Sequence, residues 1–380
     1  MIYLDNNATT QIAPVVLEAM LPFLESNYGN PSSAHAAGLN PRKAVADARE
    51  AVAALLGGDH SEIVFTSGGT ESDNWAIRGA LEADPGKKHL ITTRVEHEAV
   101  RKLFEKLTLA GYEVSWLDVD RHGALDLDQL RAFLREDTAL VSVMLANNET
   151  GVLFPVNEVA EIVKERSNAL VHVDGVNAAG KIAIDLRGSA IDLFSISAHK
   201  FHGPKGVGAL YIRKGVTFPS LSIGGGQESG RRAGTEAVHQ IVGMGTAADF
   251  VSDMSEMERV REMRDELERG VLERLSIASV NGSAVPDHRL PNTSNISFEN
   301  LNGEAILARL DAAGICVSTG SACNSKDHTP SPVLVAMDVP YSKAMGSIRF
   351  SFGRFNTESE AARVVDEIEK TVENLSSFSV

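Results

Sequence analysis

Short apolar runs rich in β-branched residues recur along the first two thirds of the chain, at residues 89–93, 113–117, 140–146, 170–174 and 192–197. Each is short and reads as a strand covered on both faces. Between them, residues 99–110, 127–134 and 156–167 place their apolar side chains at helical spacing. This alternation predicts an α/β unit built on a mostly parallel sheet covered by helices.

Near Ser252 the pattern changes. A long charged, amphipathic stretch, SEMERVREMRDELERGVLERL, predicts a helix that carries the chain out of the first unit. SNISFEN then reads as a strand, GEAILARLDAAG as a helix, SIRFSFGRF as a strand and SEAARVVDEIEKTVENL as a helix. The expectation is a large domain over residues 15–251 and a smaller α+β domain formed by residues 1–14 and 252–380. No internal repeat or low-complexity tract interrupts this, and the longest irregular stretches are glycine-rich, which marks them as candidate functional loops.

Composition narrows the classes. The 380 residues are 43% hydrophobic and 23% charged, ordinary values for a folded globular protein. Against 51 acidic residues stand 36 Lys and Arg, a net charge of −15 with no basic stripe, which argues against direct binding of nucleic acid. The start MIYLDNNATT lacks a basic segment followed by an apolar one, and no apolar run approaches the ~20 residues that span a bilayer. A cytoplasmic protein is expected. The only cysteines, Cys316 and Cys323, exclude a disulfide-rich scaffold and offer no paired CxxC zinc spacing. Cys316 is expected to be a buried small hydrophobe.

Three segments carry candidate chemistry. TSGGTESDNWAIRGAL places glycines and Thr70 just before a helical run, which suits a phosphate at a helix start and equally suits an ordinary N-cap. In FSISAHKFHGPKGVGALYI, Lys200 follows the end of a strand, where open α/β sheets bind ligands; it reads as a solvated lysine or as a Schiff-base lysine awaiting a carbonyl cofactor. Asp174, at the end of the apolar run in ALVHVDG, lies 26 positions earlier, so one βα unit can bring it to the same sheet edge. A carboxylate there can cap a helix, pair with an arginine, or hold a pyridine nitrogen protonated.

Taken together, YLDNNATT, YGNPSSAH, FTSGGTESDN, the pair Glu96-His97, NNETG, VDG, SAHKFHGPKGVGALY, GGGQESGRRAGTE, STGSAC and SIRFSFGRF make the chain resemble pyridoxal-phosphate cysteine desulfurases of the NifS/IscS type. The resemblance spans about 350 residues. It implies the aspartate-aminotransferase-like architecture of pyridoxal-phosphate fold type I. It also implies that Lys200 carries the cofactor, that Asp174 partners its ring nitrogen, and that His97 stacks on the ring and serves in acid–base steps. Gly69, Thr70, Ser197 and His199 are then expected at its phosphate. Thr235 is expected to reach the phosphate in the neighbouring subunit, which implies a homodimer. Asn148 and Arg349 are expected to orient the substrate, L-cysteine. Cys323 is expected to receive its sulfur as a persulfide and to pass it to an iron–sulfur scaffold or another acceptor protein. No stable metal is expected, only a transient iron–sulfur contact at Cys323.

One position departs from the pattern. Asn177 stands where the family usually carries glutamine beside the cofactor's ring hydroxyl, one methylene shorter, and its hydrogen bond is expected to persist by a small shift or through water. An aminotransferase would share Lys200 and Asp174 but need no nucleophilic cysteine. A selenocysteine lyase and a non-catalytic assembly subunit are the other readings. STGSAC followed by a long loop favours the desulfurase, and the short tail SSFSV is expected to limit scaffold docking.

Overall fold

The computed structural model describes residues 1–319 and 329–377. The chain enters through β1 (Ile2–Tyr3) and two helices, α1 (Pro14–Glu25) and α2 (Leu39–Leu55). The main sheet and its coverings follow as β2 (Ile63–Thr66), α3 (Gly69–Ala83), β3 (His89–Thr93), α4 (Glu98–Leu109) and β4 (Glu113–Leu117). They continue through α5 (Leu127–Phe133), β5 (Thr138–Met144), α6 (Val156–Arg166), β6 (Leu170–Asp174), β7 (Leu193–Ser197) and β8 (Gly208–Ile212). Next, α7 (Val238–Val251) closes back against α1 and α2.

The strand order is β2-β8-β7-β6-β5-β3-β4, and β8 alone runs against its neighbours. Because helices cover both faces, the central strands are buried on both sides: β6 buries Val171 and Val173 on one face and β7 buries Phe194 and Ile196, while on the other face Ser142, His172 and Ser195 are buried and hydrogen-bond one another at 2.8 and 2.9 Å. The helices pack by apolar stripes, as α4 shows with Val100, Leu103 and Phe104 buried at i, i+3 and i+4.

A second core forms around α8 (Glu256–Arg274), β9 (Ala278–Val280), β10 (Thr293–Phe298), α9 (Gly303–Ala312) and β11 (Ile315–Cys316). The short helices α10 (Pro332–Ala336) and α11 (Tyr341–Ala344) precede β12 (Ser347–Ser351) and α12 (Glu358–Ser376). β9, β10 and β12 form an antiparallel sheet, while β1 pairs in parallel with β11 and returns the start of the chain to this core. Val364, Ile368 and Val372 of α12 face Val260, Met263 and Leu267 of α8 within it. Truncating Ile368, Met263 or Leu267 to alanine should cost ~2–5 kcal/mol.

Several expectations shift. β5 starts two residues early, because Thr138 is buried and its hydroxyl bonds the His89 ring at 2.8 Å. β2 and β8 were not anticipated; the apolar run of β8 sits among glycines in KGVGALYI, which reads as a turn. Cys316 is only partly buried, since β11 is a two-residue strand paired on one side with β1. Among the described residues, no helix is long and apolar enough to cross a membrane.

Candidate active site

The carboxyl ends of β2, β3, β5, β6 and β7 open on one edge of the main sheet, and the segments leaving them line one cavity of about 270 Å3. β2 supplies Gly69 and Thr70, β3 supplies His97 and β5 supplies Asn148. β6 supplies Asp174 and Asn177, and β7 supplies Ser197, His199 and Lys200. A larger, open cavity of about 810 Å3 lies elsewhere, against Arg42, Arg49, Glu228 and Glu236, and holds none of these groups.

Lys200 ends the turn that follows β7. Its Nζ donates to the backbone carbonyls of Asn7 and Ala8. Burial, reinforced by the Arg349 cation, lowers its pKa from 10.5 to about 8, against the pull of Asp174 and Asp5. Asp174 is the last residue of β6, and its Oδ1 accepts from the Val176 N–H at 2.9 Å. Burial raises its carboxyl above the usual range, while His97 and Lys200 favour the charged form.

His97 is the N-cap of α4, with Nδ1 accepting from the Ala99 N–H at 3.2 Å, so the ring proton belongs on Nε2. His97 lines the cavity and is exposed, while desolvation by the surrounding protein still lowers its pKa. His199 sits deeper, its Nδ1 3.2 Å from the Thr9 hydroxyl, and burial with the nearby Lys200 charge lowers its pKa to about 4. Both rings therefore enter the site neutral.

The phosphate segment differs in register from the expectation. Gly68 is the N-cap of α3 at φ +150°, and Gly69 and Thr70 are the first two helical residues, so Thr70 lies inside the first turn. No side chain caps this helix, which leaves its leading amides for an anion. A Cβ on Gly69 would come within 2.7 Å of Val176 Cγ2, so glycine lets the helix start lie against the loop after β6.

Arg349 in β12 does not line the cavity but borders it: its guanidinium donates to the carbonyl of Asn148 at 2.9 Å and to Asp5 at 2.6 Å. Thr235 is exposed and away from the cavity. Cys323 lies outside the described residues. Asp73 was not singled out beforehand, yet it lines the cavity, is 1% exposed, and has an Oδ1 without a hydrogen-bond partner among the described residues, 3.6 Å from His172 Nε2. Its position three and four residues after Thr70 and Gly69 was the available signal, because those spacings share one helical face.

The donor set fits pyridoxal phosphate. A near-neutral amine, a buried carboxylate, an uncapped helix start and the unpartnered buried Nδ2 of Asn177 meet around one cavity. These match an aldehyde, a ring nitrogen, a phosphate and a ring oxygen, respectively.

The family Aminotransferase class-V matches residues 2–364. A cysteine desulfurase of Trichormus azollae is 53% identical over the whole of this chain and 94% of its own length. Cysteine desulfurase NifS of Azotobacter vinelandii is 49% identical, again over the whole chain and 94% of the relative. A solved NifS-like protein superposes with a TM-score of 0.91 at 41% identity, covering 98% of this chain and all of that one. With the mostly parallel sheet and its cavity, these likenesses mean that the chain belongs to the class-V aminotransferase family of pyridoxal-phosphate, fold type I enzymes, among the NifS-type cysteine desulfurases.

Proposed function

We propose that this chain converts L-cysteine to L-alanine and passes the sulfur on as a persulfide held by Cys323. The observation that carries the reading is the meeting of Lys200, Asp174 and His97 around one cavity, in a chain that aligns end to end with cysteine desulfurases.

Lys200 would hold the cofactor, Asp174 its ring nitrogen, Asn177 its ring oxygen, and Gly69, Thr70, Ser197 and His199 its phosphate. Bound pyridoxal phosphate supplies a sink for the electron pair left when the substrate's Cα loses its proton. Lys200 Nζ takes that proton, a role its lowered pKa suits near neutral pH. His97, neutral and lining the cavity, would hold the cofactor ring and move protons at the substrate amine. Arg349 and Asn148 orient the substrate's carboxylate. The Cys323 thiolate attacks the substrate sulfur: an S–S bond forms as the Cβ–Sγ bond breaks, and Cβ takes up a proton on the way to alanine.

The same reading divides the chain into a large unit over residues 15–251 and a small unit over 1–14 and 252–380 that carries Cys323. The exposure of Thr235 away from the cavity supports its use in a partner subunit's site, and hence a homodimer. A cytoplasmic setting and an acceptor protein, an iron–sulfur scaffold or another sulfur carrier, complete the proposal, with Cys323 a transient ligand to a cluster under assembly. The test is turnover: purified protein with pyridoxal phosphate should form alanine from L-cysteine, and Cys323→Ser should form no persulfide. Transamination of L-cysteine without sulfur release would overturn the reading.

A further inference from the structure

Behind the cavity lies Lys181, a lysine that no motif or mechanistic step uses. It is 7% exposed. After β6 the chain makes a helical turn: the Ala178 and Ala179 N–H groups both donate to the Gly175 carbonyl at 3.0 Å, and the Lys181 N–H donates to the Ala178 carbonyl at 3.0 Å. Residues 177 and 181 therefore share one face of that turn. From there Lys181 Nζ reaches three oxygens: the Asn177 carbonyl at 2.9 Å, Asn177 Oδ1 at 3.0 Å and Asn7 Oδ1 at 3.1 Å.

These contacts settle which way the Asn177 amide faces. An ammonium has three donors and no acceptor, so while Lys181 is charged the side of the amide that meets it is Oδ1. The NH2 group must then face away. Nδ2 is buried and has no hydrogen-bond partner among the described residues, while Asn177 lines the cavity shared with Lys200 and Asp174. Asn7 is fixed the same way, because its own Nδ2 donates to the Asn148 carbonyl at 3.2 Å and the Thr293 hydroxyl at 2.8 Å.

We propose that Lys181 is a positioning residue for the cofactor: it locks the Asn177 carboxamide from behind so that the amide offers an N–H donor to an oxygen on the cofactor ring. This rests on the functional reading above. It also explains how a side chain one methylene short of glutamine can serve there, since its orientation is set by a second residue. Lys181 reaches Lys200 as well, because the Asn7 residue it holds supplies a carbonyl to Lys200 Nζ.

The electrostatics make the lock depend on what fills the cavity. On the cavity side the charged or titratable groups around Lys181 are Lys200, Arg349, His199 and His202, with Arg354 lining the same small cavity, and on its other side Lys181 lines a second cavity with Glu258, Arg261, Asp287 and Arg289. No carboxylate among the described residues forms an ion pair with it. Burial and the Lys200 and Arg349 cations push its pKa well down. A neutral amine has only two donors, and the Asn177 amide could then turn over and present oxygen to the cavity. An anionic cofactor favours the ammonium, and the ammonium favours the donor orientation.

The test uses holoenzyme, with two measurements per variant: the dissociation constant of pyridoxal phosphate by equilibrium dialysis, and the pH midpoint of its visible absorbance when bound. Lys181→Met and Asn177→Ala should each weaken the cofactor about tenfold and raise the pH midpoint, since a donor to an anionic oxygen is lost. The double variant should add less than about threefold to either single one, the mark of two residues acting through one contact. Lys181→Gln, which keeps a donor, should recover most of both effects. Asn177→Asp leaves Lys181 in place but sets an anion where the donor stood, so it should weaken the cofactor at least as much as Asn177→Ala, and it keeps a readout at this position even if Lys181→Met does not fold.

A Lys181→Met protein of lowered Tm with parental affinity and pH midpoint overturns the proposal, as does parental affinity in Asn177→Asp. Absence of cofactor absorbance in the parent chain overturns the functional reading instead.

Discussion

Arg349 Nη2 stands 2.6 Å from Asp5 Oδ1, and Nη1 donates to the Asn148 carbonyl at 2.9 Å. The guanidinium is buried, and its Nε has no partner among the described residues. β12 brings Arg349 from the second core to the cavity's rim, and the bridge from Asp5 to Ser351 brings Asp5 beside it. A substrate carboxylate must therefore share the guanidinium with Asp5 or displace it.

If Arg349 binds that carboxylate, Arg349→Ala should lower kcat/KM for L-cysteine at least about 30-fold, chiefly through KM, the loss expected for a buried charge-assisted pair. Arg349→Lys keeps the charge without the planar fork and should recover only part. Asp5→Asn should change KM by less than about tenfold. Steady-state kinetics of the three variants checks this, and a parental KM in Arg349→Ala would remove the residue from the substrate site.

Lys200 should capture pyridoxal phosphate as the free amine. With its pKa at about 8 in the cofactor-free chain, the rate at which visible absorbance appears should rise about tenfold per pH unit below 8 and level off above it. An ordinary lysine would keep gaining up to about pH 10.5. Stopped-flow mixing across pH 6–10 separates the two.

Glu96 links the site to stability. Its Oε1 accepts from the Thr93 hydroxyl at 2.8 Å and the Met144 N–H at 3.1 Å, and burial raises its pKa from 4.5 to about 8. The folded chain thus keeps this proton where the unfolded chain loses it. The contribution is full below pH 4.5 and is lost as pH rises toward 8, on the order of 5 kcal/mol for a carboxyl displaced that far. Glu96→Gln removes the titration, so denaturant midpoints of the variant should fall less than the parent's between pH 5 and 8. An identical decline would place the linkage elsewhere.

Much of the frame was legible because burial leaves a direct mark on residue type. β3, β4 and β6 fall at the residues their apolar runs indicated, and α8 and α12 follow their helical periodicity closely. Where glycine supplies the packing, the mark fades: β8 escaped notice among glycines, and the start of α3 fell at Gly69 because a close approach to Val176 matters more there than capping. Within the site, Lys200 and Asp174 were readable as strand-end residues. Lys181 was not, because a buried lysine looks the same in sequence as a solvated one, and Asp73 was legible only through its helical spacing from Gly69 and Thr70. Thr235 was assigned through the resemblance alone; it is exposed and does not line the cavity.

The most direct measurement of the central claim is to incubate the pyridoxal-phosphate-loaded protein with L-cysteine, quantify alanine, and locate added sulfur by peptide mass before and after reduction. The account predicts alanine formation with a reducible gain of one sulfur on the peptide containing Cys323. Sulfur on the Cys316 peptide, or alanine formed at the parental rate by Cys323→Ser, would contradict it.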